Sequence, residues 1–249
     1  MMVVATVAFC LGGVLLGGAG IFVLLNLGDY RALRTLRRMT PVALSSVRGG
    51  RVAVQARTEY GPSGRHLAPV TGEDCAWFHV RLIREPSRHY VGSDDPDHDV
   101  LADFTSPDGF ALADPSGRVP VDPAVLDISD VAGPRVPVTT TLEHRLKAPI
   151  ALPAVVPREV VDDLRKSERL TLTEVRVPRA VPVFALGRVS RGQFKRSLAG
   201  LTAFTTSGRE RVIAGLEDSI RHVSRVIVVF ALAGLVLAGG GAGYLTTLA

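Results

Sequence analysis

Cys75, with His66 upstream and His79 four residues downstream, is where this sequence comes closest to covalent chemistry. A thiolate becomes a nucleophile when a base or a positive charge stands beside it, and either histidine could be that base. A lone cysteine in an aromatic strand, however, also serves as a small buried hydrophobe. Cys75 and His79 fall on one face of a strand but about 13 Å apart, too far to share a metal at ~2 Å bond lengths, so no metal site is expected there. Asp94, Asp95, Asp97 and Asp99 with His98 form an acidic run. A calcium loop needs a glycine at its sharp turn and a closing bidentate glutamate, and "DDPDHDVLADF" has neither, so the run reads as a solvated loop. The sequence holds no G-x-S-x-G elbow, S-x-x-K pair, P-loop or G-x-G-x-x-G turn. Paired Cys and His spacing of the zinc-finger kind is also missing. No cofactor is implied, and an enzymatic reading rests on Cys75 alone.

The elements around these residues are set by the two ends of the chain. Residues 1–28 carry no charged side chain, and neither do residues 226–249. Each stretch exceeds the roughly 20 apolar residues that cross a ~30 Å hydrocarbon core as a helix. A cleaved signal peptide would have a basic start and an apolar run of only ~7–15 residues, which residues 1–28 do not match. Arg31, Arg34, Arg37 and Arg38 follow the first span, and Arg209, Arg211, Arg221 and Arg225 precede the second. Positive charge favours the cytoplasmic side, so the expectation is a two-span protein of the plasma membrane with its soluble domain in the cytoplasm. The same arginines can touch anionic headgroups. The sequence pI near 9.7 is therefore a membrane signal and does not imply nucleic acid, since the middle shows no basic stripe interleaved with aromatics. Glycine runs in both spans, "GGVLLGGAG" and "LAGGGAGY", could bring a second copy close, giving a homo-oligomer.

Between the spans the expectation is a basic helix over 29–41 ended by Thr40-Pro41, a soluble domain over 42–206, and an amphipathic helix over 207–225. The domain reads as α+β and mainly β, a small β-barrel or a sandwich-like fold. "GGRVAVQARTE" alternates as a strand, "FALADPSGRVPVDP" reads as a hairpin turning at "DPSG", and "RLTLTEVRVP" and "VPVFALGRVSR" give two more strands. Pro182 belongs at a strand start or an edge. Residues 86–108 and 124–157 read as loops, the second followed by a short helix at "REVVDDLRKSE". In "DCAWFHVRLIRE" the Phe78, Val80 and Leu82 face is the better core candidate, while Trp77 and His79 could line a partner groove.

Four segments, in order, resemble the GIDE-type, or "beside a membrane", domain of membrane-bound ubiquitin ligases and many bacterial proteins. "LAPVTGEDCAWFHVRL" is similar to its "L-x-(S/A)-P-x-(S/T)-G-x-x-C" entry, and "FALADPSGRVPVDP" to its hairpin. "LTEVRVPRAVPVFALGRV" is similar to its "E-x-x-(L/V)-P-x-G" segment, and "LTAFTTSGRERVIAGLEDSIRHVSR" to its closing stretch. One departure is that Arg179 or Ala180 stands where the family has glycine. The resemblance implies a β-rich domain between two spans. In the organellar members ligase activity comes from a RING after the second span, which here runs to Ala249. A non-catalytic binding or sensing module with an unknown protein partner is therefore expected, with a ubiquitin ligase-like transferase as the alternative.

Overall fold

The computed structural model describes residues 2–88, 97–128, 136–146, 153–198 and 201–247. In chain order the elements are α1 (Met2–Arg38), β1 (Gly50–Glu59), β2 (His66–Leu67), β3 (Asp74–Cys75), β4 (Trp77–Glu85), β5 (Asp99–Thr105), β6 (Ala111–Asp114), β7 (Gly117–Pro120), β8 (Val138–His144), α2 (Arg158–Asp162), β9 (Arg169–Val177), β10 (Pro182–Ser190), β11 (Gln193–Lys195), β12 (Ala203–Thr205) and α3 (Arg209–Thr246). They fall into two compact units, one of Met1–Thr40 with Arg209–Ala249 and one of Pro41–Gly208. The chain is thus an α+β protein with two long apolar terminal helices flanking an antiparallel β domain.

In the first unit α1 and α3 have 37 and 38 residues. At 1.5 Å per residue each is about 55 Å long, well beyond the ~30 Å of a hydrocarbon core. They run antiparallel. Gly241 lies on Ala5 and Phe9, Gly12 on Gly234 and Ala238, and the Phe22 and Phe230 rings meet edge to face at 6.3 Å. Further along, Tyr30 Oη and Ser224 Oγ are 2.9 Å apart, and Arg37 reaches Glu217 at 2.8 Å. The Arg209 guanidinium donates to the carbonyls of Leu36, Arg37 and Met39, which α1 leaves unpaired at its C-terminus. A Cβ on Gly12 would sit 2.3 Å from the Ala238 nitrogen, so this backbone approach requires glycine. Part of the glycine surface expected to join two copies is therefore used within one chain. Gly13, Gly17 and Gly20 keep open space beside them.

The rest of the helical surface is apolar and uncovered. Val3, Val14, Leu24 and Leu25 in α1, and Val229, Leu235 and Val236 in α3, are exposed by more than half. Only 11% of each apolar window is buried, unlike the core helix of a water-soluble fold. Both helices are long and apolar enough to cross a membrane.

In the second unit, β11-β10-β1-β6-β7 form one sheet, with β12 also paired to β10. A parallel bridge between Val121 and Phe194 joins the ends of this path and curls the sheet into a small barrel. Its interior is filled by Val54, Phe110, Leu112, Val121, Val183, Ala185, Phe194 and Phe204. Phe110 and Phe204 stack edge to face at 5.7 Å. The Phe194 ring lies so close to Gly187 that a Cβ there would be 2.6 Å from its Cζ. Pro182 opens β10 opposite Arg57, a strand start, where its missing N–H does least harm.

A second sheet, β5-β4-β9-β8, has two unlike faces. Val80, Leu82, Leu170 and Leu172 on one face pack against Val156 and Leu164. The other presents His79, Arg81, Thr173 and Val175, all at least partly exposed. β2 and β3 form a two-stranded piece of their own.

Two stretches expected as loops hold strands. β5 forms within 86–108 because the charge of Asp99 is satisfied there. Its carboxylate accepts from Arg84 Nη2 at 2.6 Å, Ser87 Oγ at 2.5 Å and the Arg88 N–H at 3.0 Å. A register shift at Leu82/Ile83 further disrupts the alternation in this pair. β8 forms within 124–157 at the sheet edge, where threonines face outward and few apolar residues mark the strand. Of the acidic run, Asp94 and Asp95 lie outside the described residues.

Candidate functional site

The segment that carries Cys75 is a tight structural joint. After β2 the chain turns through residues 68–73, with the Gly72 N–H donating to the Ala68 carbonyl at 2.8 Å. Gly72 has φ +70°, the left-handed region that suits glycine. Glu174, in the middle of β9, has no exposed surface. Its two oxygens accept from the Val70 N–H at 2.6 Å and the Thr71 hydroxyl at 2.7 Å. A strand carboxylate thus holds the turn down on the sheet.

Cys75 stands at the base of this joint, fully buried. Burial first, and then the charges of Glu174 and Asp74, push its thiol up to about 11. At neutral pH only about one molecule in ten thousand would carry the thiolate, the species a nucleophile needs. Burial and the raised thiol both favour a packing role for Cys75 and oppose its action as a nucleophile. In a Cys10→Ala background, Cys75 is expected to resist alkylation while the protein is folded and to react fully in denaturant. Rapid labelling of folded protein would refute this assignment.

Trp77 and His79, expected together on a groove, part company. Trp77 is 7% exposed and belongs to the barrel core with Val177, so it offers no surface to a partner. His79 stays on the open face of the second sheet. Its Nε2 lies 2.6 Å from Asp103 Oδ1, and Arg81 lies between Asp103, at 3.9 Å, and His98 Nε2, at 3.2 Å. Ile83, Thr173 and Val175 floor the shallow hollow of about 370 Å³ beside it. Among the described residues no three His, Cys, Asp or Glu side chains converge as a metal ligand set.

A larger cleft, about 950 Å³, opens on the barrel and was not foreseen from the sequence. Gln55, Arg57 and Glu59 of β1 line it, with Asp114, the Arg179-Ala180 turn and Phe184. Glu59 is held below the ordinary carboxylate range by the Tyr60 N–H and then by Arg179, whose Nε lies 2.7 Å away. The Arg179 guanidinium also sits 4.7 Å over the Tyr60 ring, a cation–π contact. Tyr60 in turn donates to Asp74 at 2.7 Å, which lowers Asp74 and raises Tyr60. Arg57 is exposed and makes no ion pair among the described residues.

The turn on the cleft rim is fixed from beneath by buried Thr58. Its hydroxyl donates to the Pro178 carbonyl at 2.6 Å and accepts from the Val181 N–H at 3.0 Å. Ala180 is thereby held at φ +62°, a conformation that costs a residue with a Cβ roughly 1–2 kcal/mol. The one sequence signal for this rim was the departure from glycine at Arg179 or Ala180. The expected membrane-flanking arginines, Arg31, Arg34, Arg37, Arg38, Arg221 and Arg225, are all exposed on α1 and α3. Comparisons with protein-family models, with curated proteins and with solved structures each return no match.

Proposed function

We propose that this chain is a membrane-tethered, non-catalytic binding or sensing module of the GIDE type, anchored by α1 and α3 in the plasma membrane with its β domain on the cytoplasmic side. The observation that carries the tether is the register of the helix pair. Tyr30 and Ser224 touch, and the charge-free parts of both helices, up to residue 28 in α1 and from residue 226 in α3, begin at that same level. Two helices of a soluble bundle have no reason to change polarity at one height, whereas a bilayer surface imposes it.

Two features support the GIDE resemblance. The threonine of "PVTG" and the glutamate of "LTEVRVP", far apart in sequence, bond to each other. Ala180, one of the two residues that could stand where that family has glycine, adopts the left-handed backbone that favours glycine. The module's accessible faces are the His79 sheet face and the cleft beside Arg57. Thioester chemistry through Cys75, which a transferase reading would need, is opposed by the burial of that thiol.

The side of the membrane is tested with Ser63→Cys, at an exposed turn, in a Cys10→Ala/Cys75→Ala background. In intact cells a membrane-impermeant maleimide is expected to leave this cysteine unlabelled until the membrane is opened. Labelling in intact cells would put the domain outside and overturn the cytoplasmic assignment.

A further inference from the structure

We infer that four of the eight juxtamembrane arginines, Arg31, Arg34, Arg221 and Arg225, form a collar that selects anionic phospholipid headgroups in the leaflet at the end of the helix pair where α1 stops and α3 starts; this rests on the membrane-tethered reading above. The helix pairing supplies the heights. Taking the Tyr30–Ser224 contact as the surface of the hydrocarbon core, a rise of 1.5 Å per residue puts Arg31 and Arg225 within about 2 Å of it, Arg221 about 4.5 Å above and Arg34 about 6 Å above. The headgroup layer of one leaflet is roughly 5–7 Å thick, so the backbones of Arg31, Arg34 and Arg221 fall inside it and that of Arg225 lies at its inner edge, from which a long arginine side chain reaches into the layer.

The acidic residues of the same helices are placed differently. Glu217 sits about 10.5 Å above the contact and is taken by Arg37, while Asp218 sits about 9 Å above, at the edge of reach of Arg221. Glu210 is higher still and pairs with Arg209. Only Asp29 shares the layer with the four arginines. Charge is thus sorted by height, with the positive excess at the headgroups and the compensating pairs beyond them.

All four side chains are exposed. Arg31, Arg34 and Arg225 make no ion pair among the described residues, and Arg221 has only Asp218 at 4.0 Å. A guanidinium presents a planar fork of donors that matches two phosphate oxygens, and in this layer the phosphates belong to lipids. Arg31 and Arg34 lie on one helix and Arg221 and Arg225 on the other, so they describe a ring of lipid contacts around the hairpin and not one pocket.

The test reconstitutes the full chain in phosphatidylcholine vesicles with a trace of spin-labelled phosphatidylglycerol or spin-labelled phosphatidylcholine, and reads the share of each that is immobilised at the protein. Phosphatidylglycerol is expected to be preferred by about threefold or more at low salt, and the preference to shrink as salt rises. The variant R31Q/R34Q/R221Q/R225Q should lose the preference, while R37Q/R38Q/R211Q, altered only above the layer, should keep most of it. No preference in the unaltered protein, or equal loss in both variants, would overturn the collar. Loss of the preference on adding inorganic phosphate at constant ionic strength would point to free phosphate as the ligand and also overturn it. If neither labelled lipid is immobilised and the protein leaves the vesicles on alkaline carbonate washing, the membrane reading itself has failed.

Discussion

Glu174→Ala lowers the stability of the β domain by about 2–3 kcal/mol, a shift of several degrees in Tm for a domain of this size. The carboxylate lies fully buried in β9, between Leu172 and Arg176 on the inner face, and accepts from the Val70 N–H and the Thr71 hydroxyl. Alanine removes both acceptors and leaves the Val70 N–H and the Thr71 hydroxyl without their partner on the sheet. The turn over residues 68–73 then loses its attachment to the sheet. Glu174→Gln keeps one oxygen as an acceptor and should cost less. Thr71→Val removes the partner hydroxyl, and the pair Glu174→Ala/Thr71→Val should be less destabilising than the sum of its parts by about 1 kcal/mol. Unfolding of the full chain in detergent, followed through the single tryptophan, reads all of these, since Trp77 lies in the barrel core. Additive effects of the two substitutions would show that the contact is incidental.

Acid weakens the other end of the second sheet. Glu168 is nearly buried and receives Arg88 through two hydrogen bonds of 2.6 Å, Nε to Oε1 and Nη2 to Oε2, with the Arg165 N–H at 2.9 Å. Arg88 also engages Asp163, and its own N–H donates to Asp99, so one guanidinium region ties β4, β5 and the approach to β9. These contacts, Arg88 foremost, hold the Glu168 carboxyl at about 2, against 4.5 for an ordinary glutamate. A carboxyl with a lowered folded-state pKa adds stability that is fully present above its unfolded pKa and is lost as pH falls toward the folded one. The unaltered protein should therefore lose stability between about pH 4.5 and about pH 2. Glu168→Gln should be less stable at neutral pH, and its profile should be flatter through that window. Parallel profiles for the two proteins would remove Glu168 from the acid response.

Much of this organisation was legible in the sequence because its signals are strong ones. Long charge-free runs beside arginines mark α1 and α3, and regular alternation marks β1, β9 and β10. Glu174 shares its strand face with Leu170 and Leu172, but the sequence did not mark it as buried, since Arg176 on the same face is also charged. What escaped depends on partners distant in sequence. β5 looked like a polar loop because nothing local reveals that Asp99 is met by Arg84 and Ser87. β8 is an edge strand whose threonines meet solvent, so burial leaves little pattern in it. Trp77 and His79 share a strand face, yet Trp77 enters the barrel core and His79 stays open, a difference that alternation along one strand does not carry. The cleft escaped for the same reason, since β1, the β6–β7 turn and the Arg179-Ala180 turn come together only in the folded barrel.

The central claim is that α1 and α3 form one antiparallel membrane hairpin whose polarity changes at the Tyr30–Ser224 level. Single spin labels along both helices of the reconstituted chain, scored for access to oxygen, which collects in hydrocarbon, and to a water-soluble nickel complex, test it most directly. Labels at Leu16 and Leu235 should be reached by oxygen, labels at Arg34 and Arg221 by nickel, and the crossover should fall beside residue 30 in α1 and residue 224 in α3. Access to nickel along the whole of either helix, or crossovers at different heights on the two, would contradict the hairpin.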